Sequence, residues 1–209
     1  EAYTKEKKDR FEYGRYGNPT EKIAERRLAD LEGAEDCLVF SSGMMAITTT
    51  ILALVRTGDH IIMTDDCYKK TLEFCKSYLK RFGIECTIVP FGQYDVLESA
   101  IKENTRFIFS ESPTNPYLNV FDLVLLKKIA DRHGVMTLID STIATPINQR
   151  PLEYGIDLVT HSATKYLSGH NDILAGSVLG RADLIAPIRS LHKSMGGLID
   201  PHCCYLLLR

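Results

Sequence analysis

No excess of charge of either sign marks this chain: 25 basic residues stand against 27 acidic ones, for a net charge of −2. No basic stripe stands out, which argues against a nucleic-acid partner. Long apolar runs are missing too. The longest, Met44 to Val55, is interrupted by three threonines and is too short to cross a bilayer, so no membrane partner is expected. The opening residues Glu1 to Arg10 are mostly charged and lack the apolar core of a signal peptide. They are also not Ser-rich and acid-poor, as a transit peptide would be. The six cysteines, at 37, 67, 75, 86, 203 and 204, form no C-x-x-C, and no H-E-x-x-H occurs. No metal is therefore expected, and the cysteines read as reduced structural thiols in a reducing compartment, cytoplasm or plastid stroma. Neither G-x-G-x-x-G nor G-x-x-x-x-G-K-[ST] is found, so the dinucleotide and P-loop fingerprints are not met.

What is present is a regular alternation over 209 residues, enough for one large domain with a substantial core. Short apolar runs at 37–40, 60–63, 87–89, 107–109, 135–139, 158–159 and 173–179 read as strands. Helical patterns fall at 19–32, 43–55, 71–82, 95–102, 121–133 and 182–193. Asn18 and Pro19 form a start signal for the first helix, and Gly33 ends it. This order predicts an α/β fold with a mostly parallel sheet between helices. Residues 1–18 are charged, then aromatic and Gly-rich, without a helical or strand period. They are expected to form an arm, with residues 19–209 as the domain proper.

In such sheets ligands bind beyond the carboxyl ends of the strands. The chemically useful residues fall there. Lys165 sits in His161-Ser162-Ala163-Thr164-Lys165-Tyr166, just after an apolar strand. A lysine desolvated there loses proton affinity and becomes a nucleophile toward carbonyl groups. Ser162 and Thr164 offer hydroxyls to an anion. Ser42-Gly43-Met44 leads from a strand into a helix, either a simple cap or an anion site built from free N–H groups and the helix dipole. Asp140 ends the most apolar strand, where a carboxylate is costly unless paired. It either caps the next segment or holds a proton on a pyridinium nitrogen. Tyr68 is either an ordinary surface tyrosine or a ring that stacks on an aromatic cofactor. Asn115, between two prolines, either serves turn geometry or offers its amide to a cofactor oxygen.

Taken together and in order, these pieces resemble the Cys/Met-metabolism family of pyridoxal-phosphate-dependent enzymes. The matching elements are Tyr13-Gly14-Arg15-Tyr16-Gly17-Asn18-Pro19-Thr20, Ser42-Gly43-Met44, Asp66-Cys67-Tyr68, Glu111-Ser112-Pro113-Thr114-Asn115-Pro116, Asp140-Ser141-Thr142 and the run from Ser162 to His170. The resemblance implies the aspartate-aminotransferase-like fold type I and pyridoxal 5'-phosphate as cofactor. It implies that Lys165 binds the cofactor covalently and moves substrate protons, that Asp140 pairs with the ring nitrogen, and that Tyr68 stacks on the ring. Gly43, Met44, Ser162 and Thr164 would hold the phosphate, and Asn115 and Thr142 would line the ring. Tyr13 and Arg15 would reach the phosphate of a neighbouring subunit, which implies a homo-oligomer, usually a dimer of dimers.

Within the family the likeness is to the γ-synthases of the plant-type branch, which join an O-activated homoserine to L-cysteine. A γ-lyase or a homoserine sulfhydrylase is the alternative, and a non-catalytic cofactor-binding module is a third. Lys69 and Lys70 stand where many relatives carry small residues. They either favour a phosphorylated homoserine or are solvated charges at a helix start. Family members continue into a smaller C-terminal domain that supplies the arginine for the substrate carboxylate. This chain is expected to stop short of that domain.

Overall fold

The structure, a computed structural model, describes residues 11–209. Seven strands, β1 (Asp36–Phe40), β2 (His60–Thr64), β3 (Glu85–Val89), β4 (Thr105–Glu111), β5 (Met136–Asp140), β6 (Leu158–His161) and β7 (Gly176–Gly180), form one sheet in the order β1-β7-β6-β5-β4-β2-β3. The run from β3 through β2, β4 and β5 to β6 is parallel. β7 is antiparallel to both β6 and β1. Two reversals in succession restore direction, so β1 ends on the same edge of the sheet as β2, β4, β5 and β6. That edge collects the segments after all five strands.

Both faces of the sheet are covered, which is why β2 and β7 are buried at every position. Side chains alternate along each strand. Phe107, Phe109 and Leu138 pack on one face with Ala46, Ile47 and Ile51 of α2 (Gly43–Leu54). Ile108 and Ile139 pack on the other with Leu126, Ile129 and Ala130 of α5 (Leu123–His133). A third cluster joins Ala24 and Leu28 of α1 (Pro19–Glu32) to Val39, Leu179 and Cys204. Each large side chain buried this way contributes about 1.5–3 kcal/mol.

Local chemistry sets the helix ends. Asn18 caps α1, accepting from the Glu21 N–H at 2.9 Å, with Pro19 in the first turn. Gly33 ends it in the left-handed region at φ 75°. On the flank of the sheet, Arg189 of α7 (Ala182–Met195) clamps α1 to β1. It donates to Glu25 at 2.8 and 3.0 Å, to Asp36 at 3.0 and 3.2 Å, and to the Cys37 carbonyl at 2.6 Å.

Four elements differ from the sequence expectation. The helix expected over 71–82 is broken into α3 (Lys69–Glu73), a π turn at Phe74–Tyr78 and a 3-10 turn at Leu79–Phe82. Thr71, Cys75 and Leu79 are all buried, every fourth residue. An α-helix makes about 3.6 residues per turn, so that repeat drifts round its surface, and the wider turn takes up the drift. The strand expected from 173 begins only at Gly176, because the Ala175 N–H and carbonyl are both bonded to Thr164. Short helices α4 (Tyr94–Ser99), α6 (Thr145–Asn148) and α8 (Pro201–Leu207) complete the fold, and the last two have no apolar repeat long enough to announce them.

Of the expected arm, residues 1–10 lie outside the described residues. Residues 14–16 form one 3-10 turn, and Arg15 donates to the Lys193 carbonyl of α7 at 2.8 Å. All six cysteines are unbridged. No helix among the described residues is long and apolar enough to cross a membrane. No group of three or more His, Cys, Asp or Glu among them is placed to hold a metal.

Candidate active site

The shared edge brings most of the candidate residues together. Ser42 is extended and caps α2, its hydroxyl accepting from the Met45 N–H at 3.1 Å. The Ala46 N–H goes to the Ser42 carbonyl. The Gly43 and Met44 N–H groups are left without an acceptor among the described residues, at the positive end of the helix dipole. Gly43 lies against Ser162: a Cβ added there would stand 2.8 Å from the Ser162 Cβ. From the other side, a Cβ on Gly176 would stand 2.2 Å from the Ser42 carbonyl oxygen, so only glycine allows β7 to run this close to the turn. The two segments expected to hold a phosphate are therefore in contact, and a side chain at Gly43 would fill the cleft between them.

A polar chain continues from Ser162. Its N–H donates to the Thr142 hydroxyl at 2.7 Å, and Thr142 donates both its N–H and its hydroxyl to Asp140 Oδ1. Asp140 Oδ2 accepts nothing among the described residues. Asp140 is 7% exposed. Burial raises its proton affinity, partly offset by the Thr142 bonds and by the His161 imidazole, which is itself bonded to Glu32 at 2.9 Å. A buried carboxylate held through one oxygen, with the other open and no lysine or arginine bonded to it, suits a cationic ring N–H. The pyridoxal phosphate expected from the sequence thus fits these residues at both ends: backbone donors for its phosphate, and an open carboxylate oxygen for its ring nitrogen.

Tyr68 follows β2 and is half exposed at 44%. Its N–H donates to Glu111 Oε2 at 2.7 Å. Lys165 lies in the turn after β6, its N–H bonded to the Ser162 carbonyl at 3.0 Å. The sequence reading expected a desolvated lysine, and in this chain Lys165 is exposed. The turn carries it past the end of β6.

Other expected residues are less engaged. The Thr164 hydroxyl donates to the Ala175 carbonyl at 3.0 Å and accepts from its N–H at 2.9 Å. It reaches a phosphate only by exchanging that carbonyl for it. Asn115 is exposed in the turn after β4 and makes no hydrogen bond to the cluster among the described residues. Tyr13 and Arg15 are not brought to the cluster. Arg15 is held by the Lys193 carbonyl and lies over the Tyr13 and Tyr16 rings, at 5.1 and 5.2 Å from their centroids.

Gly176 was not singled out from sequence, and Glu111 was named only within the run from Glu111 to Pro116, with no role of its own. Gly176 sits in an apolar run that gives no sign of the close approach. Glu111 ends a strand as Asp140 does, and that shared position is the signal that was available. Burial and the neighbouring Asp140 push the Glu111 acid up to about 8, against the pull of the Tyr68 N–H.

Comparison with known proteins agrees with this geometry. The Cys/Met metabolism PLP-dependent enzyme family matches residues 1–209. Cystathionine gamma-synthase 1, chloroplastic, of Arabidopsis thaliana is 48% identical over 200 residues, covering 95% of this chain and 36% of that protein. Cystathionine gamma-lyase of Bacillus subtilis is 42% identical over 200 residues, covering 95% and 52%. The crystal structure of cystathionine gamma-lyase from Lactobacillus plantarum complexed with L-serine superposes with a TM-score of 0.92 at 37% identity, covering 98% of this chain and 54% of that one. The chain spans about half the length, or less, of these relatives. With the family matched along its whole length and the fold shared, the chain belongs to the Cys/Met metabolism family of pyridoxal-phosphate-dependent enzymes.

Proposed function

We propose that the full-length protein joins an O-activated homoserine to L-cysteine by γ-replacement, giving L-cystathionine. The observation that carries this is 48% identity to two cystathionine gamma-synthases of Arabidopsis thaliana, over 95% and 98% of the chain. Pyridoxal phosphate, when bound, withdraws electrons from the substrate carbons next to the amine. The chain's own residues do the rest. Lys165 Nζ would hold the cofactor and, with substrate bound, would move the Cα proton. Asp140 Oδ2 keeps the ring nitrogen protonated. Tyr68 covers one ring face, worth about 0.5–1.5 kcal/mol beyond burial. The Gly43 and Met44 N–H groups and the Ser162 hydroxyl hold the phosphate, with Thr142 tying that segment to Asp140. With protons removed from Cα and Cβ, the Cγ–O bond would break and the phosphoryl or acyl group would leave as an anion with its oxygen and the bonding pair. The cysteine sulfur would then bond to Cγ, its S–H proton going to solvent, and the Cα and Cβ protons would be returned to the product.

Tyr13 and Arg15 serve the site of a second subunit, which makes the active assembly a homo-oligomer with shared sites. Lys69 and Lys70 bias the choice of homoserine ester toward the phosphoryl donor. The unbridged cysteines and a relative named as chloroplastic support a reducing compartment, cytosol or plastid stroma.

The γ-lyase reading is supported by 42% identity to a cystathionine gamma-lyase. Product analysis separates the two. The full-length protein with pyridoxal phosphate, O-phosphohomoserine and cysteine is expected to yield cystathionine. Cleavage of supplied cystathionine instead would make it a γ-lyase, homocysteine from sulfide would make it a sulfhydrylase, and bound cofactor without turnover would make it a binding module.

A further inference from the structure

Glu111 closes β4 and is the register partner of Asp140 at the end of β5. Both continue the alternation of Phe107, Phe109 and Leu138, so both carboxyls stand on the α2 face of the sheet. Glu111 is only 4% exposed. The groups that face it are Asp140 on β5 and Asp66 and Cys67 on the turn after β2, none of them cationic. Its hydrogen-bond partner among the described residues is a single backbone group, the Tyr68 N–H at 2.7 Å. The Tyr68 carbonyl, in turn, accepts from the Thr71 and Leu72 N–H groups at 2.9 and 3.1 Å. The peptide groups on both sides of the Tyr68 Cα are therefore fixed, which sets the direction of its Cα–Cβ bond. The half-exposed phenol ring has no hydrogen bond of its own among the described residues.

We propose that Glu111 is a positioning residue for Tyr68: through one backbone hydrogen bond it sets the angle at which the phenol ring covers the cofactor. Because Glu111 and Asp140 are register partners, the ring's cover and the ring nitrogen's partner belong to one rigid unit of two adjacent strands. Burial and the neighbouring Asp140 push the Glu111 acid up to about 8, and burial raises the Asp140 acid as well. The inference rests on the site reading in which Tyr68 stacks on pyridoxal phosphate.

The test uses the full-length protein, stripped of cofactor and titrated with pyridoxal 5'-phosphate. Glu111→Gln keeps an acceptor of the same shape, and Glu111→Met keeps bulk without one. Glu111→Met is expected to weaken binding by about tenfold, as for a lost buried hydrogen bond, and to change the visible circular dichroism of the bound cofactor. Glu111→Gln is expected to restore wild-type affinity within about threefold. In a Tyr68→Ala background the effect of Glu111→Met is expected to vanish, since a residue acting through Tyr68 has nothing left to position. Wild-type affinity in Glu111→Met, or an undiminished effect in the Tyr68→Ala background, would overturn the inference alone. Failure of borohydride to label Lys165 in the wild type would overturn the site reading and the inference with it. Should Glu111→Met not fold, hydrogen exchange of the Tyr68 amide in the wild type decides: slow exchange is expected, and exchange at the rate of a free amide would refute the bond.

Discussion

Two clusters of buried charge in this fold have opposite logic. On the flank, Glu25 and Asp36 share Arg189, whose two terminal nitrogens donate to carboxylates and a backbone carbonyl. At the strand ends, Glu111 and Asp140 stand side by side, and no lysine or arginine among the described residues bonds either. Burial raises acids in both places: even beside Arg189 the Glu25 acid is pushed up, and nearby Glu21 rises to about 7. The difference is what compensates. The flank cluster is closed by the protein itself and holds α1, β1 and α7 together. The strand-end cluster is met by no lysine or arginine among the described residues, and the proposed reading gives that place to a protonated ring nitrogen.

That contrast breaks most sharply at Arg189. Removing one partner of a buried ion pair leaves the other charge stranded, so Arg189→Ala is expected to lower unfolding stability by about 3–5 kcal/mol, read by chemical denaturation. A loss near zero would erase the distinction. Asp140→Asn should do the reverse to stability, since it relieves a buried charge, while turnover of the full-length enzyme falls on the order of 10²–10³-fold.

Next comes Gly43. A methyl at this position collides with Ser162 and forces apart the two segments proposed to hold the phosphate. Overpacking of this kind costs about 1–3 kcal/mol, so Gly43→Ala is expected to weaken pyridoxal phosphate binding by about one order of magnitude or more. Unchanged affinity would mean that the contact between these segments does not shape the site.

A smaller effect sharpens the comparison through pH. The folded chain holds protons on Glu111 up to about 8 and on Glu21 up to about 7, whereas the ordinary value for Glu is 4.5. Between those limits the native state binds more protons than the unfolded one. Stability of the cofactor-free protein therefore falls as pH rises through this window. Glu111→Gln should flatten the fall in thermal midpoint, and Glu21→Gln should flatten it separately. A wild-type midpoint that rises with pH over the same range would contradict both assignments.

The smallest effect on stability is expected at Lys69 and Lys70. Lys70 pairs with Glu73 at 2.7 Å on the exposed surface, where solvent screens the contact. Lys69→Ala with Lys70→Ala should leave the thermal midpoint nearly unchanged. It should shift the ratio of turnover with phosphoryl and acyl homoserine donors, and an unchanged ratio would remove both lysines from substrate choice.

Much of this was legible in the sequence, for identifiable reasons. Strands buried on both faces read as apolar runs, and glycines such as Gly33, Gly83 and Gly134 stop helices by taking the left-handed conformation, at φ 75°, 70° and 64°. Polar residues directly after those strands must lie on one edge, which gathered Tyr68, Asp140 and Lys165 before any coordinates. What the sequence hid is tertiary. The π turn depends on which side chains meet the core, and the role of Gly176 depends on a strand and a turn distant in sequence coming into contact. Glu111 was visible only as the start of the run to Pro116, without a role, because its partner is a backbone N–H, which no residue pattern advertises. The exposure of Lys165 follows from a turn whose reach the strand pattern does not define.

The central claim, that the open cluster at the strand ends is a pyridoxal phosphate site anchored at Lys165, has one direct test. The purified full-length protein is loaded with pyridoxal 5'-phosphate, reduced with borohydride and mapped by peptide mass spectrometry. A pyridoxyl label on Lys165, abolished by Lys165→Ala, is the predicted result. A label on another lysine, or a folded, loaded protein with none, would contradict it.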